Sequence, residues 1–231
     1  QSVRLAITGN PGAGKSTLTE ALGLHWADMG QHVAVLAVDP SSSLHRGSIL
    51  GDKTRMDQLS KHPNAFIRPV ASGGQLGGVA ASTRAAIQLL EHAGYTRIVL
   101  ETVGVGQREI DVSRMCDTTC FVAQPGSGDS VQFLKAGILE VPHVLVVNKE
   151  DMGAVARRTL AELGTALNRQ HSDGNWEVPV LSVSATHASG IELLAETLAR
   201  HHQVLLSGGQ LPARRRRYQA QWILKRLQDE F

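Results

Sequence analysis

"VRLAITGNPGAGKSTLTEALGLHWADMG", residues 3–30, is the stretch that decides the fold. A short apolar run opens it and a glycine-rich turn follows. A helical run then places Leu18, Ala21, Leu22 and Trp26 on one face and stops at Gly30. The turn, "GNPGAGKST", fits G-x-x-x-x-G-K-[ST] in the strand–loop–helix setting that this motif requires. Backbone N–H groups across Gly12, Ala13 and Gly14 can turn toward phosphate oxygens. Lys15 supplies a point charge at the β and γ oxygens, Ser16 can ligate Mg²⁺, and Thr17 closes the nucleotide-binding stretch.

Outward from this unit, apolar runs alternate with helical periodicity: "HVAVLAVD", "AFIRPVA", "TRIVLET", "TTCFVAQ", "HVLVVNK" and "VPVLSVS" follow the first strand. The expected fold is α/β of the P-loop NTPase kind, a mostly parallel central sheet with helices on both faces. Residues 1–206 are expected to form the nucleotide-binding domain. Residues 207–231 are expected to form a linker, "SGGQLPA", and a C-terminal helical arm for dimerisation or docking. That arm carries Ala220, Ile223, Leu224, Leu227 and Phe231 along one stripe, broadened by Tyr218 and Trp222. Its "RRRR" start, residues 214–217, reads as a solvated helix start rather than a nucleic-acid contact.

In a chain of 231 residues, 23 basic against 21 acidic side chains leave a formal charge of +2, no electrostatic case for nucleic acid or a membrane surface. Cys116 and Cys120, the only cysteines, match neither a zinc pair nor a secreted disulfide framework and read as reduced, buried thiols. No apolar run approaches the roughly 20 residues that span a bilayer, and the start lacks a signal-peptide layout. A cytoplasmic location is expected. The first residue is not Met and the first strand begins at once, so a native N-terminal segment is expected to be missing or to have been processed.

"NKED", residues 148–151, ends the sixth apolar run as N-K-x-D. The Asp151 carboxylate can accept from guanine N1–H and the exocyclic amine, while Asn148 and the Lys149 stem orient and cover the base. Adenine offers no such pair of donors, and a buried unpaired carboxylate costs on the order of 1–3 kcal/mol. In "SVSAT", Ser184 and Ala185 sit where a small backbone loop can brace guanine O6. Asp39 ends the second strand, beside the phosphate loop in the usual order, and Asp52 follows; either can hold Mg²⁺ directly or through water. Glu101 and Gly104 in "ETVGVGQRE" take the place of an Asp-x-x-Gly phosphate sensor. Glu101 reaches a metal-bound water, and the Gly104 N–H can bond the γ-phosphate. Val105 offers no hydrogen bond where Ras-type enzymes place a water-orienting Gln, and Gln107 lies two residues further on.

Taken together, "GNPGAGKST", "LAVDPSSS", "GSILGDKTRM", "ASGGQLGGVA", "ETVGVGQRE" and "NKED" resemble the methylmalonyl-CoA mutase-associated GTPases, chaperones of adenosylcobalamin-dependent acyl-CoA mutases. The resemblance runs from about Val3 to Leu206. It implies a P-loop GTPase, usually a homodimer, with Lys15 and Ser16 at phosphate and magnesium. It also implies Asp39, Asp52 and Glu101 around the metal and attacking water, and Asn148, Lys149 and Asp151 at guanine. In "PGSGDSVQFLKAG" it implies a further switch, Asp129 and Lys135, that couples nucleotide state to the mutase; Gln107 is a switch candidate by its place after the sensor glycine alone.

The reaction that follows is GTP hydrolysis to GDP with Mg²⁺, slow alone and stimulated by a mutase, gating cofactor loading or protection. Two alternatives stand beside it. A nickel-inserting GTPase chaperone would need a His-rich or Cys-x-x-Cys site, whereas the histidines are scattered apart from His201 and His202. A P-loop kinase or transport ATPase would leave N-K-x-D unexplained.

Overall fold

The computed structural model describes residues 2–39, 56–71, 78–102, 113–128, 142–167 and 176–230. Asp52, Gly104, Gln107, Asp129 and Lys135 lie outside the described residues, and of Asp39 only the backbone is described.

All seven expected runs are strands: β1 (Val3–Gly9), β2 (Val33–Asp39), β3 (Ala65–Ala71), β4 (Arg97–Thr102), β5 (Thr118–Ala123), β6 (Val144–Val147) and β7 (Val180–Ser182). The helices are α1 (Lys15–Asp28), α2 (Asp57–Lys61), α3 (Gly78–His92), α4 (Ala154–Leu167), α5 (Ile191–Ser207) and α6 (Gln210–Glu230). The strands form one sheet in the order β3-β2-β4-β1-β5-β6-β7, every neighbouring pair parallel. Strand order reverses at β1. The crevice beyond its C-terminal end is therefore where a sheet of this kind binds its ligand.

Strand parity sorts the core. Leu5 and Ile7 of β1, Val33 and Val35 of β2, and Val99 of β4 face Leu18, Leu22 and Trp26 of α1 and Leu194 and Leu198 of α5. The intervening Ala6, Leu36, Ile98 and Leu100 face Ile87 and Leu90 of α3, while Phe121 and Leu145 meet Ala156 and Leu163 of α4. With side chains alternating along a strand, Glu101 shares the parity of Val99 and so points toward the α1 layer. Its register partners are Ile7 on β1 and Ala37 on β2.

This order sets where the strand that ends in Asp39 stands. β4, whose Ile98, Val99 and Leu100 are fully buried, is inserted between β2 and β1. The end of β2 thus stands two strands, about 10 Å, from the phosphate-loop strand.

Most of the stretch expected as a linker is helical. α5 ends at Ser207 and α6 starts at Gln210, so the helix takes in most of the stretch expected as linker. Two of the four arginines are not solvated. Arg215 donates from Nε to Asp117 Oδ1 (2.8 Å) and from Nη2 to Asp117 Oδ2 (2.5 Å) and Ser2 O (2.9 Å), with Glu91 also in reach. The Arg214 guanidinium lies 2.9 Å from His143, whose ring is 4.4 Å from that of His201. The base of α6 is thereby clamped to the N-terminal edge of the sheet. Further along, Arg84 sits over the Trp222 ring, and Ile223, Leu224 and Leu227 remain 44%, 61% and 48% exposed.

Cys116 and Cys120 are free and buried, and burial raises both thiols, Cys120 to about 12. Among the described residues no helix is long and apolar enough to cross a membrane.

Two predictions concern this clamp. Removing Arg215 takes both guanidinium donors from the Asp117 carboxylate, which is 1% exposed, and leaves it the Arg4 backbone N–H. Arg215→Met should therefore lower stability in urea unfolding by about 3 kcal/mol, against almost nothing for exposed Arg216→Met. Burial, then Arg214 and neighbouring His202, brings His201 down to about 4, and burial, Arg214 and His201 hold His143 well below its usual range. Unfolded histidines bind protons near pH 6.5, so this stability is complete above that value and is lost as pH falls toward 4. His201 alone should contribute a loss of about 2 kcal/mol between pH 7.5 and 5. A His201→Gln variant should show a shallower dependence.

Candidate functional site

The phosphate loop is shaped by two close approaches. Gly9 leaves β1 at φ +141°, and a Cβ there would stand 2.1 Å from Val122 O of β5. Gly14 adopts φ +82° at the start of α1, and a Cβ there would stand 2.5 Å from Asn148 Nδ2. Each position combines a left-handed backbone with no room for a side chain. α1 has no side-chain cap and no acidic residue in its first turn, so none of its own side chains competes for its N-terminal N–H groups. Lys15, 8% exposed, donates to the carbonyls of Gly9 (2.9 Å) and Asn10 (3.0 Å). Its ammonium is thus held against the loop that it follows.

Strand parity brings Glu101 to the same place. Ser16 Oγ donates to Glu101 Oε1 at 2.6 Å, and the glutamate is 5% exposed. A hydroxyl and a carboxylate supply oxygen donors only, the set preferred by Mg²⁺. Thr17 beside them is exposed.

At the end of β6, Asn148 is 2% exposed and spends both ends of its amide on the protein. Nδ2 donates to Ala13 O (2.9 Å) and, at 3.4 Å, to Gly14 O, while Oδ1 accepts from Ala185 N (3.1 Å). It braces the phosphate loop against the loop after β7. Lys149, at φ +62°, donates from Nζ to Gly12 O at 2.9 Å, so its stem crosses from one motif to the other. Asp151 Oδ1 accepts from Ser184 Oγ at 2.8 Å. That hydrogen bond, then its own backbone N–H and the charges of His187 and Lys149, hold the carboxyl below the usual carboxylate range. Half-exposed and ionised, it presents acceptors to solvent.

The structure therefore joins Gly12, Ala13, Gly14, Lys15, Ser16, Glu101, Asn148, Lys149, Asp151, Ser184 and Ala185 in one hydrogen-bonded region. Two contacts were not anticipated from the sequence. Asn10 of the phosphate loop donates to Ser127 Oγ at 3.3 Å, in the turn after β5, whose Gly126 N–H is held by Thr159 of α4 at 3.0 Å. His187 Nδ1 lies 2.9 Å from Ser184 Oγ and 3.9 Å from Asp151 Oδ1. The only signal for His187 was its place in a loop of small residues, three positions after Ser184.

Comparison with known proteins agrees with this geometry. A family model described as methylmalonyl-CoA mutase-associated GTPase MeaB matches residues 1–231. A probable GTPase of Mycobacterium tuberculosis is 47% identical over 229 residues, covering 98% of this chain and 68% of its own length. The mouse mitochondrial methylmalonic aciduria type A homolog is 41% identical over 230 residues, 98% of this chain and 55% of that protein. A crystal structure titled LAO/AO transport system kinase superimposes with a TM-score of 0.83 at 32% identity, over 99% of this chain and 68% of the other. With a phosphate loop and an N-K-x-D corner meeting at one strand edge, and a family model matched from end to end, the chain belongs to the methylmalonyl-CoA mutase-associated GTPases and hydrolyses GTP.

Proposed function

We propose that this GTPase uses its nucleotide cycle to gate cofactor loading or protection of an adenosylcobalamin-dependent acyl-CoA mutase. The observation that carries the reading is the Ser16–Glu101 hydrogen bond. It links the phosphate loop to the strand that runs directly into "TVGVGQRE", so that a change at the phosphates is felt where the phosphate sensor begins. The family description and the mouse relative's name support a mutase as the partner.

In this reading Lys15 and the N–H groups of residues 12–17 bind the β- and γ-phosphates. Ser16 and Glu101, with Asp39 and Asp52, would hold Mg²⁺. When bound there, the ion would supply positive charge to offset that of the phosphates. Glu101 orients the attacking water and Gly104 reports the γ-phosphate. Asp151 accepts from guanine N1–H and amine, while Asn148, Lys149 and Ala185 keep that corner at a set distance from the phosphates. Asp129, Lys135 and Gln107 pass nucleotide state to the partner; the bond from Asn10 to Ser127, two residues before Asp129, supports a direct path. With Val105 contributing no hydrogen bond to water, unaided turnover is slow. The arm formed by α6 serves a homodimer or docking in the cytoplasm.

Nucleotide-dependent capture tests the reading. Immobilised protein should retain an adenosylcobalamin-dependent acyl-CoA mutase to different extents in GDP and in a non-hydrolysable GTP analogue, and equal retention would contradict gating. Linkage requires that the mutase tighten binding of whichever nucleotide favours it. Base selection gives a second prediction. An amide at position 151 keeps one acceptor but sets its NH2 against a guanine donor, so Asp151→Asn should weaken GDP by about a hundredfold in calorimetry, one charge-assisted hydrogen bond lost and the other reduced to a neutral one.

A further inference from the structure

We propose that His187 is a positioning residue for guanine selection: through Ser184 it fixes the carboxylate of Asp151 in the plane that the base requires. The proposal rests on Asp151 being the guanine contact.

Ser184 Oγ stands 2.8 Å from Asp151 Oδ1 and 2.9 Å from His187 Nδ1. A hydroxyl carries one hydrogen, and an ionised carboxylate can only accept. If Ser184 gave its hydrogen to the histidine, a hydroxyl lone pair would face a carboxylate oxygen at hydrogen-bonding distance. The hydrogen therefore goes to Asp151, and His187 must be the donor at Nδ1. The result is a directed chain, His187 Nδ1–H to Ser184 Oγ–H to Asp151 Oδ1.

The backbone is built to make this chain. Ser184 and Ser189 exchange both N–H···O bonds at 3.1 Å, closing residues 185–188 into a tight turn. Ala188 turns through φ +53°, the left-handed region that an alanine rarely adopts. Strain of this sort persists where the surroundings over-determine it. The turn leaves Ser184 3% exposed while the Asp151 and His187 side chains are 49% and 66% exposed. A half-exposed carboxylate held only at its backbone would rotate freely in water. Held through a buried hydroxyl, it offers both oxygens in one orientation to N1–H and the exocyclic amine. Hypoxanthine lacks the amine and uses only one of those acceptors, so the orienting effect of His187 should be read most directly in the ratio of guanine to hypoxanthine binding.

Calorimetric titration of the full chain with GDP, IDP and ADP tests this, using wild type, His187→Phe and His187→Asn. The Asn side chain places an N–H donor near the position of Nδ1, whereas Phe fills the space and donates nothing. His187→Phe should weaken GDP about tenfold, the scale of one hydrogen bond to a charged group, and narrow the GDP-to-IDP ratio. His187→Asn should restore both. Unchanged GDP affinity in His187→Phe, or equal losses for GDP and IDP that Asn does not rescue, would overturn the positioning role while leaving the guanine site in place. Wild-type protein that binds ADP as tightly as GDP would instead overturn the guanine reading, and the proposal with it.

Discussion

The rest of the site depends on the side chain of Asn148. It is almost wholly buried at the end of β6, and its amide joins the carbonyls of the phosphate loop to the backbone N–H of the loop after β7. A buried amide of this kind is expensive to leave unpaired, so the two loops cannot drift apart without a cost of about 1–3 kcal/mol for each orphaned group. The same contact explains the glycine at position 14, where any Cβ would displace the Asn148 amide nitrogen. The phosphate loop and the N-K-x-D corner are therefore tied together through Asn148, and Lys149 adds a second tie by reaching Gly12.

The parallel sheet makes this unit possible. With every strand running the same way, the ends of β1, β4, β6 and β7 deliver Gly9, Glu101, Asn148 and Ser184 to a single edge. The opposite edge has a different task. There Asp117, Glu91 and His143 meet the arginines of α6, so the C-terminal helix is fastened at its base while its apolar residues further along stay exposed. β5 runs between the two edges, from Thr118, which contacts His201, to the turn where Asn10 meets Ser127. The phosphate loop and the base of the helix thus meet opposite ends of a strand buried along its whole length.

Much of this was legible in the sequence because it depends on patterns that are local. The seven apolar runs, the phosphate loop and N-K-x-D each declare themselves within a few residues. Glu101, singled out by its motif, stands against Ser16 in the structure. Long-range placement was less accessible. Nothing in "LAVDPSSS" reveals that β4 will lie between β2 and β1, because strand order is settled by how crossovers pack rather than by the strand's own residues. The arginine run looked solvated because its partners, Asp117 and His143, are about 70–100 positions away in the chain. Asn148 was read as a base-orienting residue, and its ties to the phosphate loop and to Ala185 carry no signal in the motif itself. His187 was invisible because its effect arises from a turn that folds it back over Ser184, and no motif marks a histidine that works through a neighbour's hydroxyl.

The central claim, a GTPase whose cycle is tied to a mutase, is tested most directly by steady-state GTP turnover of the purified chain with and without an adenosylcobalamin-dependent acyl-CoA mutase. The account predicts slow hydrolysis by the chain alone, since Val105 cannot orient water, and a rate raised at least tenfold when the mutase is present. Brisk unaided turnover that the mutase leaves unchanged would contradict it.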